Sequence, residues 1–197
     1  MNLLLIAGIA VSGISHFSFA QKGEKTNFEI KPGSSTIQWV GKKLTGEHTG
    51  SIRIKSGNVQ VADGKMITGV FEIDMVTINC TDMEGEWKGK LETHLKSDDF
   101  FSTQKFPVSK LEITKAEFTK DNIYNITGKL TIKGITNDIS FPATVEFDNN
   151  KFAAVADITV DRTKWDIRYG SKKFFEDIGD KVIYDDFTLK VKLGATK

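Results

Sequence analysis

Cysteine occurs once in the 197 residues, as Cys80, so no disulfide within the chain can hold the fold and a disulfide-stapled scaffold is excluded. A lone thiol leaves burial, a redox role or a link between two copies in a homodimer, and burial is the habit of this residue type. Proline is scarce, with 3 residues against 17 glycines and 14 phenylalanines. That balance favours tight turns between strands rich in large apolar side chains. A strong charge of either sign is missing too: 27 Lys+Arg against 26 Asp+Glu leave +1. Nucleic acid is therefore excluded as a partner class, because phosphate binding needs a basic surface. Hydrophobic residues at 39% are too many for a disordered chain, so the protein folds.

Catalytic signatures are also lacking. No Gly-x-Ser-x-Gly elbow, phosphate loop or dinucleotide fingerprint occurs, so neither enzymatic activity nor a cofactor is expected. Beyond the N-terminal segment the histidines are His48 and His94, without zinc or di-iron spacing, and no metal is expected. A metal-assisted hydrolase using His48, His94 and an acidic residue is the enzyme-class alternative, resting only on their polar character. The pairs Asp98-Asp99 and Asp185-Asp186 place their carboxylates on opposite sides of an extended backbone, which does not make an acid/base couple.

The first twenty residues contain no Asp, Glu, Lys or Arg, and an apolar run from Leu3 to Ile14 precedes Ser18-Phe19-Ala20. This pattern predicts a signal peptide over residues 1–20, cleaved near Ala20, and a periplasmic or secreted protein. The run is shorter than the ~20 apolar residues of a membrane span. Residues 21–197 then form a single domain, for which transient membrane contact is compatible.

From Ser35 the sequence alternates. Ile37, Trp39 and Gly41 share a face; Ile52 and Ile54, then Val59 and Val61, follow; Asp63-Gly64 supplies a hairpin turn before Ile67, Gly69, Phe71 and Ile73. Leu111 and Ile113 alternate with Lys110, Glu112 and Thr114. The same period runs through Tyr124 to Ile132, Ile139 to Phe147, Phe152 to Val160 and Phe187 to Leu193. Two stretches break it. Trp87, Leu91 and Leu95 are spaced as on a helix within Thr81 to Lys96, and Asp161 to Lys181 reads as a long connection with one helical turn. About eight strands with one short helix predict an all-β antiparallel fold, a barrel or a sandwich.

An ordered set of motifs narrows this reading. Trp39-Val40-Gly41-Lys42-Lys43, Phe71-Glu72-Ile73-Asp74-Met75, His94-Leu95-Lys96-Ser97-Asp98-Asp99-Phe100-Phe101, Lys105-Phe106-Pro107 and Gly128-Lys129-Leu130-Thr131-Ile132-Lys133-Gly134-Ile135-Thr136 follow one another in the chain. Together they resemble the YceI-like family of bacterial exported lipid-binding proteins, over about Ser35 to Leu193. Asp161-Arg162-Thr163-Lys164-Trp165 is similar to the family's late Arg-Thr-x-aromatic element, with Asp166 where many members have Gly. The resemblance implies an extended lipocalin-like antiparallel β-barrel whose interior takes a polyisoprenoid or similar long-chain amphiphile, such as an isoprenoid quinone, fatty acid or amide, for transport, storage or stress protection. Many members place a His soon after the first-strand Trp; this chain has Gly41-Lys42-Lys43 there.

Parity combined with that resemblance nominates the ligand-lining residues. If Trp39 points inward, the matching faces carry Ile52, Ile54, Phe71, Ile113, Leu130, Phe141, Phe152 and Phe187. Phe100 and Phe101 would narrow the mouth, His94 would hydrogen-bond the loop, and Arg162 or Arg168 could meet an anionic head group. The non-enzymatic alternative is a surface interaction module with a filled core.

Overall fold

The computed structural model describes residues 25–197; the signal-peptide expectation lies outside the described residues. The elements run β1 (Lys25–Ile30), β2 (Thr36–Lys43), β3 (Gly46–Ala62), β4 (Lys65–Cys80), α1 (Gly85–Lys96), β5 (Val108–Phe118), β6 (Ile123–Ile132), β7 (Ile135–Phe147), β8 (Lys151–Asp161) and β9 (Ile183–Thr196). From β2 to β9 each strand pairs antiparallel with the next, and β9 returns to β2. The result is a closed eight-stranded up-and-down barrel: the alternation left a barrel or a sandwich open, and the barrel is what the resemblance implied; closure leaves no exposed edge around the ring.

The strand β1 was not legible in the alternation. It pairs with the far end of β3 (Phe28 with Val59) and with the end of β9 (Ile30 with Ala195), antiparallel to both, as β2 does further along. Strands β1 and β2 are thus one broken strand, interrupted by a short 3-10 turn at Pro32–Ser34. Proline at the start of that turn supplies the fixed φ it needs.

Local chemistry sets the turns. Asp63-Gly64 and Lys133-Gly134 both hold positive φ at consecutive residues, the geometry that matches the twist of a two-residue hairpin. Between β7 and β8, the Asp148 carboxylate accepts from the backbone N–H groups of Asn150 and Lys151. Gly50 has a steric cause: a Cβ there would collide with the Asn79 carbonyl oxygen and the Trp39 indole, so glycine lets that ring lie across the β3 backbone.

The long strand β3 carries irregularities between Ser51 and Arg53 and between Ile54 and Ser56. An extra residue reverses which parity faces inward. Ile52 and Ile54 on one side of the break, and Val59 and Val61 on the other, are accordingly all buried despite opposite parity.

The barrel interior divides along its axis. At the end sealed by β1, Phe28, Ile30, Val59, Tyr124, Ile126 and Phe152 pack into a solid core, with Phe152 stacked on Phe147 at 6.4 Å and tilted against Phe28 at 5.8 Å. At the other end lie the β2–β3 turn, α1 with its following loop, the β6–β7 turn and the β8–β9 connection.

Candidate functional site: an apolar cavity under a helix and loop

Toward that second end the interior opens into a cavity of about 350 Å³. Ile37 and Trp39 from β2, Ile52 and Ile54 from β3, Phe71 and Ile73 from β4, Leu111 from β5, Leu130 from β6, Ile139 and Phe141 from β7, Ile158 from β8 and Phe187, Leu189 and Val191 from β9 form its wall. A volume above ~300 Å³ is ligand-sized, and a lining this apolar favours hydrocarbon.

Leu91 and Leu95, one turn apart on α1, close the cavity from above. Trp87, which shares their helical spacing, projects into solvent instead, 70% exposed, with Lys90 over its ring. The helix is tied to the barrel by Glu92, whose carboxylate accepts the Cys80 N–H, and by Lys88, which donates to Asn79. Beyond α1 the chain folds back on the helix end: the N–H groups of Phe101, Ser102 and Thr103 bond to the carbonyls of Leu95, Ser97 and Lys96. This fold-back lowers Phe100 and Phe101 onto the cavity, where Phe101 meets Phe187 edge-on at 6.2 Å. His94 bonds the loop carboxylate of Asp99 and stands edge-on to Phe100 and Tyr169.

At the rim sit Lys42, Lys43, His48, Tyr184, Asp186 and the buried Arg162. Arg162 donates from Nε to the Tyr184 carbonyl, from Nη1 to Ile167 and from Nη2 to Ile183, and Asp185 lies 3.7 Å away. Burial pulls its pKa down while Asp185 and Asp161 oppose that pull. The guanidinium thereby pins the start of β9 to the turn after β8, and its donors are spent on backbone. Trp165 completes the same turn, buried, donating from Nε1 to the Leu130 carbonyl at 3.0 Å. The next residue, Asp166, adopts a left-handed φ of 57°, which explains why glycine suits this place.

His48 and Cys80 converge on one carboxylate. Asp82 accepts from the Cys80 thiol at 3.1 Å, from the Thr49 N–H at 3.0 Å, and pairs with His48 Nδ1 at 3.0 Å. Burial pushes the Asp82 pKa up, but these hydrogen bonds outweigh it and hold the group at about 2. Burial, followed by the bond to Asp82, raises the Cys80 thiol pKa, which disfavours the thiolate. Cys80 is fully buried, so it cannot bridge two copies without opening the fold. His48 and His94 have separate acidic partners, and among the described residues no cluster of three or more His, Cys, Asp or Glu is arranged to hold a metal.

Of the nominated residues, the cavity gathers Trp39, Ile52, Ile54, Phe71, Phe100, Phe101, Leu130, Phe141, Phe187 and Arg162. Three are placed elsewhere. Ile113 and Phe152 face inward but lie in the solid end, because parity reports the face of a strand and not the depth along the barrel. Arg168 is exposed, paired with Asp166 and laid over the Phe174 ring, so it stands outside the cavity. Sequence reasoning passed over Ser109, which lines the cavity two residues before Leu111 on the same face.

A profile of the YceI-like domain matches residues 28–195. The chain belongs to the YceI-like family. Among curated proteins, an UPF0312 protein of Pseudomonas putida strain KT2440 is 27% identical over 95 residues, 48% of this chain and 47% of that protein. The matched segment thus spans about half the length of these relatives. Among solved structures, Burkholderia cenocepacia BcnA superposes with a TM-score of 0.70 at 20% identity, over 85% of this chain and 99% of its own. A polyisoprenoid binding domain from Saccharophagus degradans gives 0.63 at 12%, over 86% and 97%. The Campylobacter jejuni YCEI protein gives 0.53 at 16%, over 98% and 93%. At these identities the likeness establishes the barrel.

Proposed function

We propose that this YceI-like chain is an exported, non-enzymatic carrier or store for a polyisoprenoid or similar long-chain amphiphile, held along the barrel interior. The observation that carries the reading is the cavity of about 350 Å³, walled by aliphatic and aromatic side chains and roofed by Leu91, Leu95, Phe100 and Phe101. Burial of each methylene contributes ~0.8 kcal/mol, so the stretch of apolar chain that the cavity encloses is held without an ionic anchor. The polyisoprenoid binding domain with the same fold supports this ligand class, and the uncharged N-terminal segment supports export to the periplasm or beyond. A filled core, as an interaction module would have, leaves no such volume.

Native purification followed by organic extraction and mass spectrometry tests the carrier reading. A co-purifying long-chain amphiphile, or uptake of an added polyprenol by stripped protein, is expected. No extracted amphiphile together with no uptake would overturn it. Peptide sequencing of the mature N-terminus, expected at Gln21, tests export.

A further inference from the structure

One wall of the cavity carries a polar group that the fold does not use. Ser109 is 5% exposed, lies beside Ile73 of β4 in the sheet ladder, and lines the cavity among Ile73, Leu111 and Ile132. Its hydroxyl has no hydrogen-bond partner among the described residues. A buried hydroxyl left unpaired is destabilising, and serine has few reasons to sit where Ile, Leu and Phe otherwise form the wall. A second unpaired donor lies on a cavity-lining side chain, the buried indole Nε1 of Trp39, which can only donate.

The cations near the cavity do not complement an anion in its interior. Arg162 spends Nε, Nη1 and Nη2 on three carbonyls beside the Asp185 carboxylate. Lys42 and Lys43 stand at the rim, Lys42 3.8 Å from Glu47. A buried charge without a partner is costly, whereas a neutral oxygen can accept from a hydroxyl or an indole N–H.

We propose that Ser109 is a specificity-determining residue that hydrogen-bonds a neutral oxygen on the ligand, so that the cavity selects an amphiphile bearing a carbonyl, hydroxyl or ether oxygen over a plain hydrocarbon of equal length. This rests on the carrier reading and refines it. At ~30 Å³ per water-sized group, the cavity of about 350 Å³ holds roughly a dozen chain atoms, which sets the probe length.

The test uses ligand-stripped protein with 2-tridecanone and n-tridecane, each competed against the neutral fluorophore N-phenyl-1-naphthylamine. A water-to-hydrocarbon partition control favours the alkane, and wild type is expected to bind the ketone, relative to the alkane, about tenfold more tightly than that control predicts. Ser109→Ala should reduce that preference by about fivefold or more while leaving alkane affinity within about twofold. The same variant, free of ligand, should melt no lower than wild type, because it deletes an unpaired buried hydroxyl. A wild-type ketone-to-alkane affinity ratio no higher than the partition control predicts, a ratio unchanged in Ser109→Ala, or a lower melting temperature of the stripped variant would overturn the assignment. Binding of neither probe would remove the carrier reading and this inference with it, whereas binding of both in the partition ratio removes only the inference.

Discussion

Phe141 and Phe152 occupy inward positions on neighbouring strands, and the division of the barrel into a solid end and a hollow end predicts that they respond differently to truncation. Phe152 is 2% exposed and touches Phe28 and Phe147. Replacing it by alanine opens a hole in a filled core, at ~3–5 kcal/mol. Phe141 borders the cavity, so part of its ring has no protein neighbour to lose. Phe141→Ala enlarges a space that already exists and should cost ~1–2 kcal/mol, less than half as much. In a domain of this size each kcal/mol lowers the melting temperature by ~2–4 °C, so the two variants should separate by several degrees. The assay is thermal unfolding of ligand-stripped protein, since a retained ligand would stabilise both and mask the difference. Equal losses for the two variants would refute the division of the barrel.

Two further outcomes follow from the polar clamps. Asp82 is held at a pKa of about 2, below the ~3.9 of an unfolded aspartate, so its carboxylate contributes stability that is fully present above pH ~4 and is lost as pH falls toward 2. With its side chain 30% exposed, screening reduces that contribution to ~1–2 kcal/mol, and acid titration of urea midpoints should show the loss in wild type and not in Asp82→Asn. Arg162→Leu leaves the carbonyls of Ile167, Ile183 and Tyr184 without their donor, and should cost ~3 kcal/mol or more in chemical unfolding, against a small change for the exposed Arg168→Leu.

The strands were legible because one face of each is buried and the side-chain period is two; Tyr124, Ile126, Leu130 and Ile132 are all buried, as their alternation demands. Strand β1 escaped this reading because only Phe28 and Ile30 of its six residues are buried. The helix was expected over Thr81 to Lys96 and begins at Gly85, where no side chain caps the first turn to mark its start. At the site, the family motifs located Trp39, Phe100, Phe101 and Arg162, and parity supplied Phe71, Phe141 and Phe187. Depth was not legible: Ile113 and Leu111 have the same parity, yet only Leu111 reaches the cavity. Ser109 stayed hidden because a serine at a strand start reads as solvated; only its burial without a partner gives it meaning.

The return of β9 to β2 orders the history of the molecule. Trp39 pairs with Leu189 across about 150 residues, whereas the successive hairpins form between near neighbours. Closing a loop of that length costs ~4 kcal/mol of chain entropy in the length-dependent part alone, so this seam is the slow, late event in a barrel whose other pairings are local. Because Phe187, Leu189 and Val191 of that last strand form part of the cavity wall, the binding space comes into being only once the C-terminal strand has docked. A chain interrupted before β9 has seven ladder strands and two open edges in place of a cavity, and what it exposes there is an invitation to aggregate.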